Sequence, residues 1–145
     1  MKELNPQEYL QRKLERTGSW YLEQPCLVEY EIKGRMGHPS NYAFVKSECK
    51  PSETLSFESG VAWPPECGGP NWIRQFEEFI CEGIVDGPVA ASTTPYLGCV
   101  LNLVEIKFDD VSSSADAYYK ATKGAMAELV RSGNWGLKLT GAASL

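Results

Sequence analysis

The sequence contains few of the residues on which common metal and catalytic centres depend. It has one histidine, His38, and five cysteines without any Cys-x-x-Cys spacing. A structural zinc site requires four converging cysteine or histidine ligands, usually supplied in close pairs. We therefore predict no metal site, and we expect free, mostly buried thiols in a reducing compartment.

Long apolar segments and an excess of positive charge are also missing. No apolar run approaches the roughly 20 residues of a transmembrane helix, and Met1 to Asn5 contains no apolar stretch typical of a secretory signal. We therefore expect a cytoplasmic location and no membrane partner. The formal net charge of −5 argues against a free-standing binder of nucleic-acid phosphates. Docking on a large RNA machine through a local patch stays open.

Patterns for nucleotide binding or nucleophilic catalysis are weak. Gly68 and Gly69 precede a predicted helix, and helix N-termini bind anions. However, Trp72 and Ile73 follow where a phosphate-binding loop has Lys and Ser or Thr, so no nucleotide is expected. A cysteine–histidine pair would need His38, which lies in a Gly/Pro-rich loop. We therefore predict no enzymatic activity and no cofactor.

What is present is a clear succession of strands and helices in a chain of 145 residues, the size of one domain. Apolar alternation predicts successive antiparallel strands at 26–33, 42–49 and 54–62, and a long strand at 97–108. Helical spacing predicts helices at 71–86 and about 112–131. Gly87-Pro88 is expected to end the first helix, which carries Trp72, Phe76, Phe79 and Ile80 on one face. Residues 135–139 add an edge strand or a tail.

The order β-β-β-α-β-α predicts an α+β fold. It is a two-layer sandwich in which a four-stranded sheet carries two helices on one face. A short N-terminal helix opens at Asn5-Pro6. We divide the chain into a helical appendage at 1–24, the main domain at 25–132 and a C-terminal tail at 133–145.

Several motifs in this order resemble domain IV of translation elongation factor G. The family has a helix ending in Gly-Pro, a strand, and a Val-Asp-Ser-Ser helix entry followed by alanine-rich turns. The residues that carry the resemblance over 27–130 are Phe79-x-x-x-Gly83-x-x-x-Gly87-Pro88, Tyr96, Val111-Ser112-Ser113-Ser114-Ala115-Asp116-Ala117-Tyr118, Ala121, Ala125, Tyr42-Ala43-Phe44-Val45, Glu48-x-Lys50-Pro51 and Phe57 to Pro64.

The resemblance implies a ribosomal protein S5 domain 2-like fold with a left-handed βαβ crossover, an exception to the usual handedness. In the elongation factor, two tip loops of this domain enter the ribosomal decoding site during translocation. The corresponding segments here are 34–41 and 108–111. They contain the tip-loop binding candidates Arg35, Met36, Gly37, His38, Asn41, Asp109 and Asp110.

The chain departs from the family at both tip loops. The family's first loop is rich in Ser and Gly, and its second carries a histidine where this chain has Asp109 and Asp110, which would repel an RNA backbone. Because no Gly-x-x-x-x-Gly-Lys-Ser/Thr motif occurs, GTP hydrolysis and translocation are not expected. We expect a stand-alone, non-catalytic module that associates with the ribosome or RNA. The alternative is a domain that binds another protein or itself.

Overall fold

The computed structural model describes residues 5–8, 19–33, 42–91 and 97–138. Within these ranges the strands are β1 (Ser19–Leu22), β2 (Cys26–Ile32), β3 (Ala43–Pro51), β4 (Ser56–Ser59), β5 (Leu97–Lys107) and β6 (Trp135–Lys138). The helices are α1 (Pro70–Ala91) and α2 (Ala115–Ser132), with a single 3-10 turn at Pro65–Cys67. No helix in these ranges is long and apolar enough to cross a membrane.

The sheet is built around β5. β3 pairs antiparallel along one edge of β5, and β2 pairs antiparallel with β3. The other edge of β5 is shared, because β1 pairs with it in parallel at Leu97 and Gly98 while β4 pairs in parallel at residues 100–103. β6 then pairs antiparallel with β1. This central position explains why the apolar residues of β5 are largely buried.

The α+β class is confirmed, but the predicted count of four strands is wrong, since the described part of the sheet has six. The two additional strands, β1 and β6, come from the segments that we assigned to the appendage and the tail. β6 confirms the edge strand that was one of the two alternatives for residues 135–139. β1 was not predicted, because four residues are too few for an alternating pattern to be recognised. The antiparallel placement of β4 is also wrong, because β4 lies parallel to β5 on the side away from β3.

Of the local signals for helix ends, the one at Asn5 agrees with the structure and the one at Gly87-Pro88 does not. Asn5 does open a helical turn, because its side-chain oxygen accepts the N–H of Gln7 at 3.0 Å, but residues 9–18 lie outside the described ranges. The predicted end of α1 at Gly87-Pro88 is wrong, since the helix continues to Ala91. Both residues are buried, and Gly87 packs against α2, so tertiary contact holds the last turn despite the missing N–H of Pro88.

The two helices run parallel in close contact. Gly83 lies opposite Thr122, and Gly87 lies opposite Met126, so positions along the two helices increase together. Both helices therefore begin at the end of the sheet where β5 ends. Of the apolar side chains expected on one face of α1, Phe76 and Ile80 are buried, whereas Trp72 is 55% exposed.

One apolar core joins the helices to the sheet, as a two-layer sandwich requires. α2 packs on β2 and β3, while α1 packs mainly on α2. The buried side chains of this core include Val28, Val45, Cys49, Leu101 and Leu103 from the sheet and Phe76, Ile80, Ile84, Tyr118, Met126 and Leu129 from the helices.

Candidate binding surface at the strand ends

Three strand ends meet on one side of the molecule. β2 ends and β3 begins at the end of the sheet where β5 finishes. The N–H of Tyr42 donates to the carbonyl oxygen of Ser112 at 2.9 Å, and this joins the start of β3 to the turn between β5 and α2. We call the surface formed by Lys33, Tyr42, Lys107 and residues 109–113 the tip surface.

The predicted binding candidates divide into two groups. Five of them lie outside the described residues, namely Arg35, Met36, Gly37, His38 and Asn41. Their segment connects β2 to β3, whose described ends lie at the tip surface. Asp109 and Asp110 are described and belong to the tip surface. The structure thus brings these two aspartates beside the strand ends that flank segment 34–41.

Asp109 acts within its own turn. Its Oδ1 accepts the N–H groups of Val111 at 2.9 Å and Ser112 at 3.0 Å, while its own N–H donates to Ser113 Oγ at 2.9 Å. These backbone hydrogen bonds favour the charged form, so they hold the pKa of the Asp109 carboxyl below its usual range. The side chain therefore orders the turn, and its carboxylate is partly engaged before any ligand approaches.

The two residues that follow Asp109 are presented to solvent. Asp110 is exposed, and Val111 is 72% exposed despite its apolar side chain. A single exposed valine is ordinary on a protein surface. Here, however, the Asp109 hydrogen bonds fix its backbone in a turn. Asp110 and Val111 are consequently the residues of this turn that are best placed to touch a partner.

Tyr42 and Glu31 form a polar contact at the edge of the tip surface. The Tyr42 hydroxyl donates to Glu31 Oε2 at 2.9 Å, and Lys33 Nζ lies 3.5 Å from Glu31 Oε1. Burial, followed by the Glu31 contact, raises the pKa of Tyr42 to about 12, while the hydrogen bond from Tyr42 lowers the pKa of Glu31. Nearby, Lys107 Nζ lies 4.7 Å from the ring centroid of Phe44, a cation–π contact. The surface thus carries both signs of charge.

An aromatic cluster supports the tip surface from below. The ring of Trp63 stacks on Phe76 with centroids 5.4 Å apart and forms a T-shaped pair with Tyr118, with centroids 5.2 Å apart. Phe76 also contacts Phe108, directly before the Asp109 turn, at 5.8 Å. The Tyr118 hydroxyl donates to the carbonyl oxygen of Lys107 at 2.7 Å. These contacts tie the end of β5 to both helices and give the turn a firm base.

The two adjacent tyrosines of α2 lie in different environments. Tyr118 is fully buried, whereas Tyr119 points away and its hydroxyl donates to Asp86 Oδ2 at 2.6 Å. Sequence reasoning did not identify the Tyr118–Lys107 hydrogen bond. A tyrosine in the first turn of a helix that follows a strand is the available signal, but it does not specify the acceptor.

A metal-binding cluster and a thiol of lowered pKa are not found within the described ranges. Within the described ranges, no three His, Cys, Asp or Glu side chains are grouped so that they could hold a metal ion. Burial raises the pKa of the Cys49 thiol and raises that of Cys99 to about 12, which disfavours the reactive thiolate. His38 lies outside these ranges. What the arrangement provides is a shaped, partly charged surface.

Comparison with known proteins supports the fold. No protein-family model matches the chain. The chain is similar to the crystal structure of a protein from Thermus thermophilus, with a TM-score of 0.61 and 21% sequence identity. The match covers 77% of this chain but only 16% of the Thermus protein, so the chain corresponds to a small part of that molecule. At this identity the likeness shows a related fold and nothing about activity.

Proposed function

We propose that the chain is a non-catalytic binding module whose tip surface docks on ribosomal RNA, as the resemblance to domain IV of elongation factor G implies. The observation that carries the proposal is the hydrogen bond from Tyr42 to Ser112. It joins the strand that follows segment 34–41 to the turn that contains Asp110. Two segments whose described flanking residues lie at the same end of a domain can contact a single site on a partner together.

The charges of the tip surface define what kind of contact is favourable. Lys33 and Lys107 lie on it, and Arg35 belongs to the connecting segment between β2 and β3. The negative charge of Asp110 reduces the attraction that these three cations exert on phosphate. The net charge of −5 also repels a polyanion at long range. Binding would therefore depend on a few local contacts, with a weaker salt dependence than a basic RNA-binding domain shows.

Co-sedimentation of the full chain with purified ribosomes tests the proposal directly. We expect the chain to pellet with ribosomes at low salt and Arg35→Ala to weaken this pelleting. Arg131→Ala is the matched control, because Arg131 lies in the last turn of α2, about 24 Å along the helix from its first residue. If the unmodified chain stays in the supernatant at low salt, the ribosomal proposal is wrong.

A second variant tests the sign of the electrostatic argument. Asp110→Asn removes one negative charge from an exposed side chain, while the hydrogen bonds that order the turn come from Asp109. We expect tighter co-sedimentation, since a like-charge repulsion with phosphate is removed. Binding weakened equally by Asp110→Asn and Arg131→Ala would indicate that the contact does not involve the tip surface.

A second candidate function is association with another protein or with a second copy. Two described edge strands support it, because Leu27 of β2 is 59% exposed and Leu137 of β6 is 49% exposed. An edge strand with exposed apolar residues can pair with another chain. Light scattering over a range of concentrations would reveal a dimer, and Leu137→Lys should dissociate it. A monomeric mass at every concentration would contradict self-association.

A further inference from the structure

Three of the five cysteines lie together on the inner side of the sheet, at the end opposite the tip surface. Cys26 begins β2, Cys49 is near the end of β3, and Cys99 is near the start of β5. Cys26 is directly opposite Cys49 in the antiparallel ladder, and the two thiols are close enough to influence each other's pKa. Cys99 is opposite Pro51, so it is diagonal to Cys49.

This register suits one disulfide and disfavours another. Directly opposite residues of an antiparallel pair have Cα atoms about 4.5–5.5 Å apart, within the roughly 4.4–6.8 Å that a disulfide spans. Diagonal neighbours are about 7–8 Å apart, beyond that span without backbone movement. Cys81 is exposed on α1, and Cys67 is buried in the 3-10 turn. The geometry therefore selects Cys26 and Cys49.

Access to this pair comes from the surface beside the edge strand. Cys26 is partly exposed, whereas Cys49 and Cys99 have no exposed surface. A shallow groove reaches the pair and is lined by Pro25, Cys26, Leu27, Glu48, Cys49 and Lys50. A small reagent can thus reach Cys26 first, with Cys49 in place to react next.

We propose that Cys26 and Cys49 are a redox modification site that forms a reversible cross-strand disulfide with low-molecular-weight disulfides such as oxidised glutathione. The Cys26 thiolate attacks one glutathione sulfur, the glutathione S–S bond breaks, and the first glutathione leaves and takes up a proton. Cys49 then gives its proton to solvent and attacks Cys26 Sγ, which expels the second glutathione. Two protein thiols are oxidised, and one glutathione disulfide is reduced to two glutathione molecules.

Burial of the two thiols sets the conditions for the reaction. Desolvation raises the pKa of Cys26 and of Cys49, so little thiolate is present at neutral pH. The reaction should therefore accelerate as the pH rises above neutrality. Once formed, the bond joins the edge strand β2 to β3 at the end of the strand pair opposite the tip surface. The proposal is independent of any ribosomal role.

The test is oxidation of the folded full chain by oxidised glutathione in mildly alkaline buffer, followed by alkylation of the remaining thiols. Cys81→Ser serves as the background, since an exposed thiol without a neighbour would simply be glutathionylated. Cleavage after glutamate separates Cys49 from Cys67 at Glu53. We expect one intramolecular disulfide, two fewer alkylated thiols, and a linked pair of peptides spanning 24–29 and 49–53.

Serine variants show whether the disulfide specifically joins Cys26 and Cys49. Cys26→Ser should abolish the intramolecular bond, and Cys99→Ser should leave it intact; circular dichroism establishes that each variant is folded. The proposal is overturned by full alkylation of the oxidised native protein or by a stable glutathione adduct on Cys26 without closure. A linked pair that contains Cys67 or Cys99 instead would overturn it equally.

Discussion

The contact between α1 and α2 depends on two glycines. A Cβ atom placed on Gly83 would lie 2.8 Å from Cβ of Thr122 and 2.8 Å from the carbonyl oxygen of Tyr119. A Cβ atom on Gly87 would lie 2.6 Å from Cβ of Met126. We therefore expect Gly83→Ala and Gly87→Ala to destabilise the protein, although alanine normally favours a helix.

The magnitude follows from two opposing terms. Carbon atoms pack best at about 3.5–4.0 Å, so each substitution must push the helices apart by roughly 1 Å. Overpacking a core of this kind costs about 1–3 kcal/mol. Because the obstacle at Gly83 includes a backbone oxygen, which no rotamer change can move, we place Gly83→Ala in the upper part of that range. The better helix propensity of alanine returns about 1 kcal/mol, which leaves a net loss of roughly 1–2 kcal/mol.

Urea unfolding followed by circular dichroism measures this loss, with an accompanying drop in Tm of roughly 3–8 °C. Val85→Ala is the matched control, because it places the same side chain on the same helix at a residue that is 57% exposed. We expect its free energy of unfolding to change by less than about 0.5 kcal/mol. If Gly83→Ala is as stable as the unmodified protein, the close helix packing is incorrect.

Four further substitutions test the order of the Asp109 turn, its support by Tyr118 and the exposure of Trp72. Tyr118→Phe leaves the carbonyl oxygen of Lys107 without its donor and should cost about 1–2 kcal/mol in urea unfolding, with unchanged secondary structure. Asp109→Ala should abolish the protection of the Val111 and Ser112 amides against hydrogen exchange, whereas Asp110→Ala should not. Since the pKa of Asp109 is lowered in the folded state, its stabilising effect is present above its unfolded pKa and lost as pH falls through the lower folded value, which amide shifts against pH will follow. Trp72→Ala should change stability by less than about 1 kcal/mol, contrary to the expectation for a core tryptophan.

The sequence predicted elements whose signals are local and long. β2, β3 and β5 each alternate over seven or more residues, and α2 has both a helical apolar stripe and a capping serine. Ser114 does cap α2, since its Oγ accepts the N–H of Ala117 at 3.1 Å. These features depend on residues that are neighbours in the sequence, so a single sequence is enough to predict them.

Errors arose where distant residues decide the outcome. Nothing within the four residues of β1 or β6 specifies a partner strand, and the pairing of β4 with β5 depends on a connection through α1. Gly87-Pro88 is a sound local stop signal, but contact between Gly87 and Met126 keeps the helix intact beyond it. In each case tertiary pairing outweighed a local preference.

The candidate site also combines features that local sequence predicts with contacts that depend on distant residues. Its position at the strand ends could be predicted, because Asp109 and Asp110 follow the longest strand and precede a capped helix. The role of Asp109 was also available in principle, since an aspartate followed two and three residues later by free amides is typical of an Asx turn. The contact between Tyr42 and Ser112 could not be predicted from the sequence, because it joins segments far apart in the chain.

The two proposed sites involve the same pair of strands, β2 and β3, but opposite ends of it. The described strand ends that flank segment 34–41 lie at one end of this strand pair, and Cys26 and Cys49 lie opposite each other at the other end. β2 is an edge strand in the described sheet, so its register depends on β3 and on packing against α2. A disulfide at its base would restrict fraying of that edge without adding any group to the tip surface. Replacing Cys26 or Cys49 should therefore change the fraying of β2 under oxidising conditions. A substitution of Arg35 should instead change only the affinity for the partner.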